Sequence, residues 1–415
     1  MGLFNNIMGL FNRNKIKAAT VKEIEWINSL LDEYGSTTSS SGVRINSDTA
    51  LKVAAVYSCV KVISNQIAQL PLDVYKTTDK GRIKDKEHPV HNLIHTQFNE
   101  YTVAFYGIRP AIINVLLTGY GYIMINRKDG MPNELWPIDT KRVTKEINKA
   151  GKPRYKVDFG KEGSIYVSYT DMIELQGIST DGVVPYNPVK IFADAIGLSR
   201  AAEKYSSDFF KNGITPSGVV EVAGAMEDKA YKRLKKSINE AHGGLGSKHK
   251  VLLLEDGAKF SRISAPPEEA QTIEARKFQV IEVARFFNVP PSKIMDYERA
   301  TWGNMEEVNR QFVNDCLMEY IKPMEQLFTK QLFMDEEKKD GYYIKFNLNG
   351  LLRGKQSERY TSYSQARHWG WLNVNEIREM EEMSNIGEQG DVYLTPTNMI
   401  DSTKINKENS QGEQK

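Results

Sequence analysis

At 415 residues the chain is long enough for two or three domains of roughly 150 residues each and for a large buried core, which excludes a small stapled scaffold. With 40% hydrophobic and 26% charged residues and a formal net charge of +2, it reads as an ordinary soluble protein and lacks the broad basic coat of a tight nucleic-acid binder. Its two cysteines, Cys59 and Cys316, both fall on apolar helical stripes, which points to buried reduced thiols rather than a disulfide or metal pair.

The first segment, MGLFNNIMGLFNRNKIK, places Leu3, Phe4, Ile7, Met8, Leu10 and Phe11 beside a basic end. Asn5, Asn6 and Asn12 interrupt that apolar face, no small-residue cleavage site follows, and Asn6 stands where a myristoylation motif wants Ser or Thr. The expectation is a docking or disordered arm, not a signal peptide or membrane anchor. GSTTSSSG from Gly35 to Gly42 reads as a flexible linker, so folded structure is expected from near Ser47.

From Ser47 to Leu70, Leu51, Ala55, Cys59, Val62, Ile63 and Ile67 recur at helical spacing, predicting one core helix opened by a Ser or Asp cap and stopped by Pro71. Lys52, Lys61 and Gln66 exclude a membrane span there. LDVYKTT then predicts a strand, with a turn at Asp79 to Gly81 and a short helix around Val90 to His95. A helix from Val103 to Leu117 leads into a hairpin turning at Asp129-Gly130, and PRYKVDFG, SIYVSY and DMIELQ supply further strands. Helices mixed with antiparallel strands make the class α+β.

Asn187-Pro188 opens a second helix running through Ile191, Ala195, Leu198, Ala202, Tyr205 and Phe209 to Asn212-Gly213. SGVVEV as a strand, a helix from Met226 to His242 and a hairpin turning at Asp256-Gly257 follow. The stretch from Pro266 to Met334 reads as a helix, a loop and a longer helix. Ile273, Val280, Ile281, Ala284 and Phe287 form the stripe of the first helix, and Asn288 with Pro290-Pro291 stops it. The chain restarts at Asn304, spaced from Glu307 as a capping box, and Pro323 is expected to kink or break the long helix near Lys322. A charged turn, a strand YYIKF, helices over 355–369 and 373–383 and a polar tail from Asp401 complete the order.

Three constellations invite chemistry. His88, His91 and His95 lie near one helical face, but His88 precedes Pro89 and no carboxylate or thiol cluster accompanies the three, so surface histidines are expected and no metal site. GGLGSK at Gly243 to Lys248 follows a helix and precedes a strand, the reverse of a phosphate-cradling loop, and Lys248 is followed by His249 rather than Ser or Thr. Lys229, Lys232, Arg233 and Lys236 form a basic stripe that suits DNA phosphates, an acidic partner or plain solvation. No Ser-His-Asp, Cys-His or paired-carboxylate arrangement stands out, so no enzyme and no cofactor are expected.

RKFQVIEVARFFNVPPSKIM followed by ERATWGNMEEVNRQFV, with NLNGLLRG at Asn347 to Gly354, resembles the signature of tailed-bacteriophage portal proteins of the HK97-like family. SDTALKVAAVYSCVKVISNQIAQLPLDVY, ELWPIDTKRV and the stretch from Asn349 to Met383 resemble it too, although Lys355 stands where an acidic residue is more usual. The resemblance implies a portal fold assembled as a ring: an α/β wing, two stem helices, a small α/β clip, a long kinked helix and a helical crown. On this chain it implies an arm and linker at 1–46, a wing at 47–187, stem helices at 188–213 and 266–288, and a clip at 214–265. A tunnel loop at 289–303, a long wing helix at 304–334, a return strand and crown at 335–399 and a disordered tail at 400–415 complete the map.

The function implied is a dodecameric channel at one capsid vertex that passes double-stranded DNA without sequence preference. Its implied partners are the terminase large subunit, the major capsid protein and scaffold, and the head-tail connector protein, with no membrane. Lys293, Asp296, Tyr297, Glu298, Arg299 and Trp302 of the loop are the expected DNA contacts, and Lys229, Lys232, Arg233 and Lys236 the expected docking face. A head-tail adaptor ring without a packaging role is the alternative, though such adaptors are usually shorter and lack the two-helix-plus-loop centre.

Overall fold

The computed structural model describes residues 37–79, 81–147, 152–212, 218–221, 228–229, 231–233, 236, 259–262, 269–297, 305–348, 351, 356–381 and 383–394. The N-terminal arm, GGLGSK, Asn304 and the polar tail lie outside the described residues. The chain divides into two compact units, Met1–Asn347 and Leu348–Lys415.

The first unit opens with a small hairpin, β1 (Thr37–Thr38) and β2 (Arg44–Ile45), where the sequence suggests a linker. It is docked: the Ser40 N–H and hydroxyl both donate to Asp194, the N–H at 2.7 Å, and Ile45 is fully buried. The serines that mark a linker by composition here satisfy backbone and carboxylate groups. The single helix expected over 47–70 is two, α1 (Ser47–Ala50) and α2 (Ala54–Ala68). Asn46, not a Ser or Asp, caps the first. Its side chain accepts from Thr49 N at 2.8 Å while the Thr49 hydroxyl accepts from Asn46 N at 2.8 Å, a reciprocal cap that winds one turn and stops.

β3 (Leu72–Thr78), β4 (Gly81–Lys84), α3 (Pro89–His95), β5 (Gln97–Asn99), β6 (Thr102–Val103) and α4 (Ala104–Thr118) follow. Val56, Cys59, Val60, Ile63 and Ile67 of α2 are buried, as are Ile108, Ala111, Ile112 and Val115 of α4, and the two helices pack together. Gly107 lets α4 approach β5, because a Cβ there would sit 2.1 Å from the Phe98 ring. β7 (Tyr120–Lys128) and β8 (Met131–Ile138) form the expected hairpin; Asp129 and Gly130 both take positive φ, 53° and 82°, as a tight Asp-Gly turn requires. β9 (Val143–Ile147), which the sequence reading lacked, joins β10 (Pro153–Asp158) and β11 (Ser164–Ser168), and β12 (Met172–Gln176) pairs with β7. Tyr122, Ile138, Tyr155, Val157, Val167 and Met172 form one core between these two sheets.

The second long helix is also split, into α5 (Pro188–Ile191) and α6 (Ala193–Asn212), with Asn187 capping Lys190 N at 3.2 Å. The predicted stripe is not the packed one. Ile191 and Leu198 are 55% and 53% exposed, whereas Ala193, Ile196 and Ser199 are buried. Beyond α6, β13 (Gly218–Glu221) pairs antiparallel with β14 (Lys259–Arg262), which brings both ends of the 218–262 excursion together.

α7 (Glu269–Phe286), α8 (Met305–Gln311), a π-helical turn (Phe312–Leu317), α9 (Met318–Leu332), α10 (Asp335–Lys339) and β15 (Tyr342–Phe346) complete the unit. The break expected at Pro323 does not occur. Pro323 lies inside α9, and the departure from regular bonding sits upstream, where Met318 N reaches back to Val313 O. Ile321, Met324, Phe328 and Leu332 of α9 are buried and clamp it on β15, helped by Glu325, whose carboxylate accepts from Phe346 N at 3.0 Å. β15 pairs with β3, the predicted return strand. In the second unit, α11 (Gln356–His368) and α12 (Val374–Met380) are tied by Arg359, which donates from Nε and Nη2 to the two oxygens of Glu381 at 2.7 and 2.9 Å.

Candidate DNA-contact loop and docking face

α7 ends because Asn288 takes the left-handed conformation, φ 53°. Its N–H donates to Arg285 O at 3.0 Å and the next, Val289 N, to Ala284 O at 2.9 Å, the double bond of a Schellman end with asparagine in the usual glycine position. Asn288 Nδ2 also donates to Asp315 O at 2.7 Å, and Cys316 Sγ lies 3.4 Å from Phe287 O. The end of α7 is thus fastened to the π-helical turn, whose wider winding presents Asp315 O and Cys316 to it. Phe287 and Val289 are buried, and Phe286 stacks on Phe192 at 4.1 Å.

The loop start is built, not free. Pro291–Ile294 form a 3-10 turn, with Lys293 N donating to Pro290 O at 2.9 Å and Asp296 N to Pro291 O at 3.0 Å. Met295 takes φ 68° and is 77% exposed, and Tyr297 donates to its sulfur at 3.2 Å. Lys293 is half-buried with its ammonium 5.3 Å from the Phe312 ring centroid, and burial holds its pKa below the ordinary lysine value. Asp296 is half-buried and Tyr297 exposed. Glu298, Arg299 and Trp302 lie outside the described residues.

Lys229, Lys232 and Arg233 lie on helical turns and are exposed, as are Lys236 and the neighbouring Tyr231. Among the described side chains of α7 and its C-terminal end, Val283, Ala284 and Phe287 are buried, Val280 and Ile281 half-buried, and Glu274 to Phe278 exposed.

Of the three histidines expected at the surface, His95 is exposed, His88 is half-buried and His91 is buried. His88 accepts from Val90 N at 3.2 Å and lies 3.0 Å from Glu337, while His91 and His95 stack at 4.8 Å beside Asp73 of β3. Asp85 and Glu87 lie nearby in sequence, but the carboxylate beside His91 and His95 is delivered by β3 through the fold. The signal that was available is an aspartate between Leu72 and Val74 in an apolar strand, since a buried acid there demands a partner.

The sequence matches the family described as phage portal protein over residues 54–382. The chain belongs to the phage portal protein family. This portal chain is 30% identical over 380 residues to the probable portal protein of Streptomyces phage phiC31, covering 87% of this chain and 81% of that one. To the portal protein of Enterobacteria phage HK97 it is 28% identical, covering 88% and 87%. Its fold is similar to that of an HK97-family phage portal protein from Corynebacterium diphtheriae, with a TM-score of 0.56, 15% identity and coverage of 77% and 98%. A chain from the neck of a native gene transfer agent particle, computed with C12 symmetry, aligns with a TM-score of 0.55 at 21% identity, covering 81% and 92%. The portal assignment places its function at the capsid vertex of a tailed phage. Among the described residues no helix is long and apolar enough to cross a membrane.

Proposed function

We propose that twelve copies of this portal chain close into a ring that conducts double-stranded DNA, docks the terminase large subunit and later holds the head-tail connector, without catalysing a reaction of its own. Family membership over 54–382 is the observation that carries this reading. The internal geometry supports the finer map. Phe192 at the start of one helix pair meets Phe286 at the end of the other, and Ser199 and Glu203 share a groove with Arg276, Gln279 and Val280, so α6 and α7 run antiparallel as two stem helices should. The β13–β14 pair closes the excursion between them as a clip, and the exposed Lys229, Lys232, Arg233 and Lys236 are its docking face. The stretches of α6 and α7 left exposed in one chain, with Leu198 and Phe278 outward, suit burial against neighbouring subunits.

The loop contacts passing DNA while its entry stays fixed on the π-helical turn. Opposite charges at Lys293, Asp296, Glu298 and Arg299 limit the net attraction to phosphate, so DNA is touched without being trapped. Replacing Lys293 and Arg299 with Ala tests this in a packaging assay. Rings and capsids are expected to form normally while the amount of DNA packaged or retained changes; normal packaging and retention would refute the contact role.

A further inference from the structure

The wing region holds a cluster for which DNA conduction has no evident use. Asp73 is fully buried, yet among the described residues neither of its carboxylate oxygens receives a well-aligned hydrogen bond, and the buried His91 Nε2 likewise makes none. Lys84 Nζ lies 2.8 Å from Asp73 Oδ1, bringing a charge close without hydrogen-bond alignment. His91 Nε2 is 3.4 Å and His95 Nδ1 3.2 Å from that same oxygen, and Leu72 O is 3.0 Å from His95 Nδ1. A buried carboxylate with no hydrogen bond is costly, and natural folds keep such an arrangement only where something else satisfies it.

We propose that Asp73, His91 and His95 bind a divalent transition-metal ion of the zinc class, with water or the Leu72 carbonyl as the fourth donor. One ligand atom from each of the three side chains lies within 4.8 Å of the others. A tetrahedral ion with bonds of about 2.0–2.1 Å separates its ligand atoms by about 3.3 Å, close to the spacings around Asp73 Oδ1. Lys84 takes the ion's place electrostatically when the site is empty. It sits at the end of strand β4 with its side chain 29% exposed, so it can swing into solvent. Access exists, because the side chain of His95 is 36% exposed and lines an open groove of about 270 Å³ with Pro71, Thr96 and Phe105. Metal bound here would tie β3 to α3.

The test uses the untagged full-length chain, stripped with chelator, titrated with Co²⁺ and then with Zn²⁺ as competitor. The expected result is one Co²⁺ per chain with the absorption bands of a tetrahedral ion, displaced by Zn²⁺, and a Tm raised by Zn²⁺. His95→Ala should weaken binding at least tenfold and abolish the Tm rise, and Lys84→Ala should tighten binding by removing the competing cation. Both side chains are partly exposed, so each variant should fold, as its metal-free Tm will show. Undiminished binding in His95→Ala, or no binding at millimolar Co²⁺ by both the wild type and Lys84→Ala, would overturn the proposal.

Discussion

The two basic regions of this portal chain differ in what holds their charge. Lys293 is wedged over Phe312 at the end of a fixed turn, its neighbours bonded back onto α7 and the π-helical turn. Lys229, Lys232 and Arg233 stand in solvent on a helix face. The first charge is placed by packing beside Phe312, whereas the second is available to any acidic partner and costs the fold nothing to lose. The first property suits the DNA contact proposed for the loop, and the second suits the proposed docking face.

The largest way to break this contrast is at the anchor. Phe287→Ala removes a buried ring from the junction of α7 with the π-helical turn and should cost about 3–5 kcal/mol in denaturant unfolding. A loss below 1 kcal/mol would mean that the loop is not held from this end.

Lys293→Met sharpens the contrast through pH. Burial lowers the folded-state pKa of Lys293, so between that value and the ordinary lysine value the unfolded chain holds the proton more tightly. Stability of the wild type should therefore rise with pH across that window relative to Lys293→Met. Parallel stability curves for the two proteins would show that Lys293 is solvated like the others.

The smallest effect on the fold is expected at the other region. Reversing Lys232, Arg233 and Lys236 together to Glu should change unfolding by no more than about 0.5 kcal/mol per site, because exposed charges contribute little. Ring assembly should survive while packaging falls. Unchanged packaging would leave the stripe as a solvated face.

Where local chemistry decides, the sequence was readable. Asp129-Gly130 dictates its hairpin, Asn187-Pro188 its helix start, and Asn288 before Val289-Pro290-Pro291 its helix end. The family itself was legible in the run from Arg276 to Val313, and the match over 54–382 bears it out. What failed was decided by distant partners. The serines at 39–41 look like a linker until Asp194 and Gly197 meet them. Pro323 looks like a break until β15 holds its helix in place, and His91 looks like a surface residue until β3 brings Asp73 beside it. For the loop, no local pattern signals that Phe312, nineteen residues after Lys293 and past the restart, lies beneath its ammonium.

Native mass spectrometry of the purified full-length chain tests the central claim most directly. The account predicts a closed ring, with twelve chains as the main species. A monomer or dimer under every condition tried would contradict it.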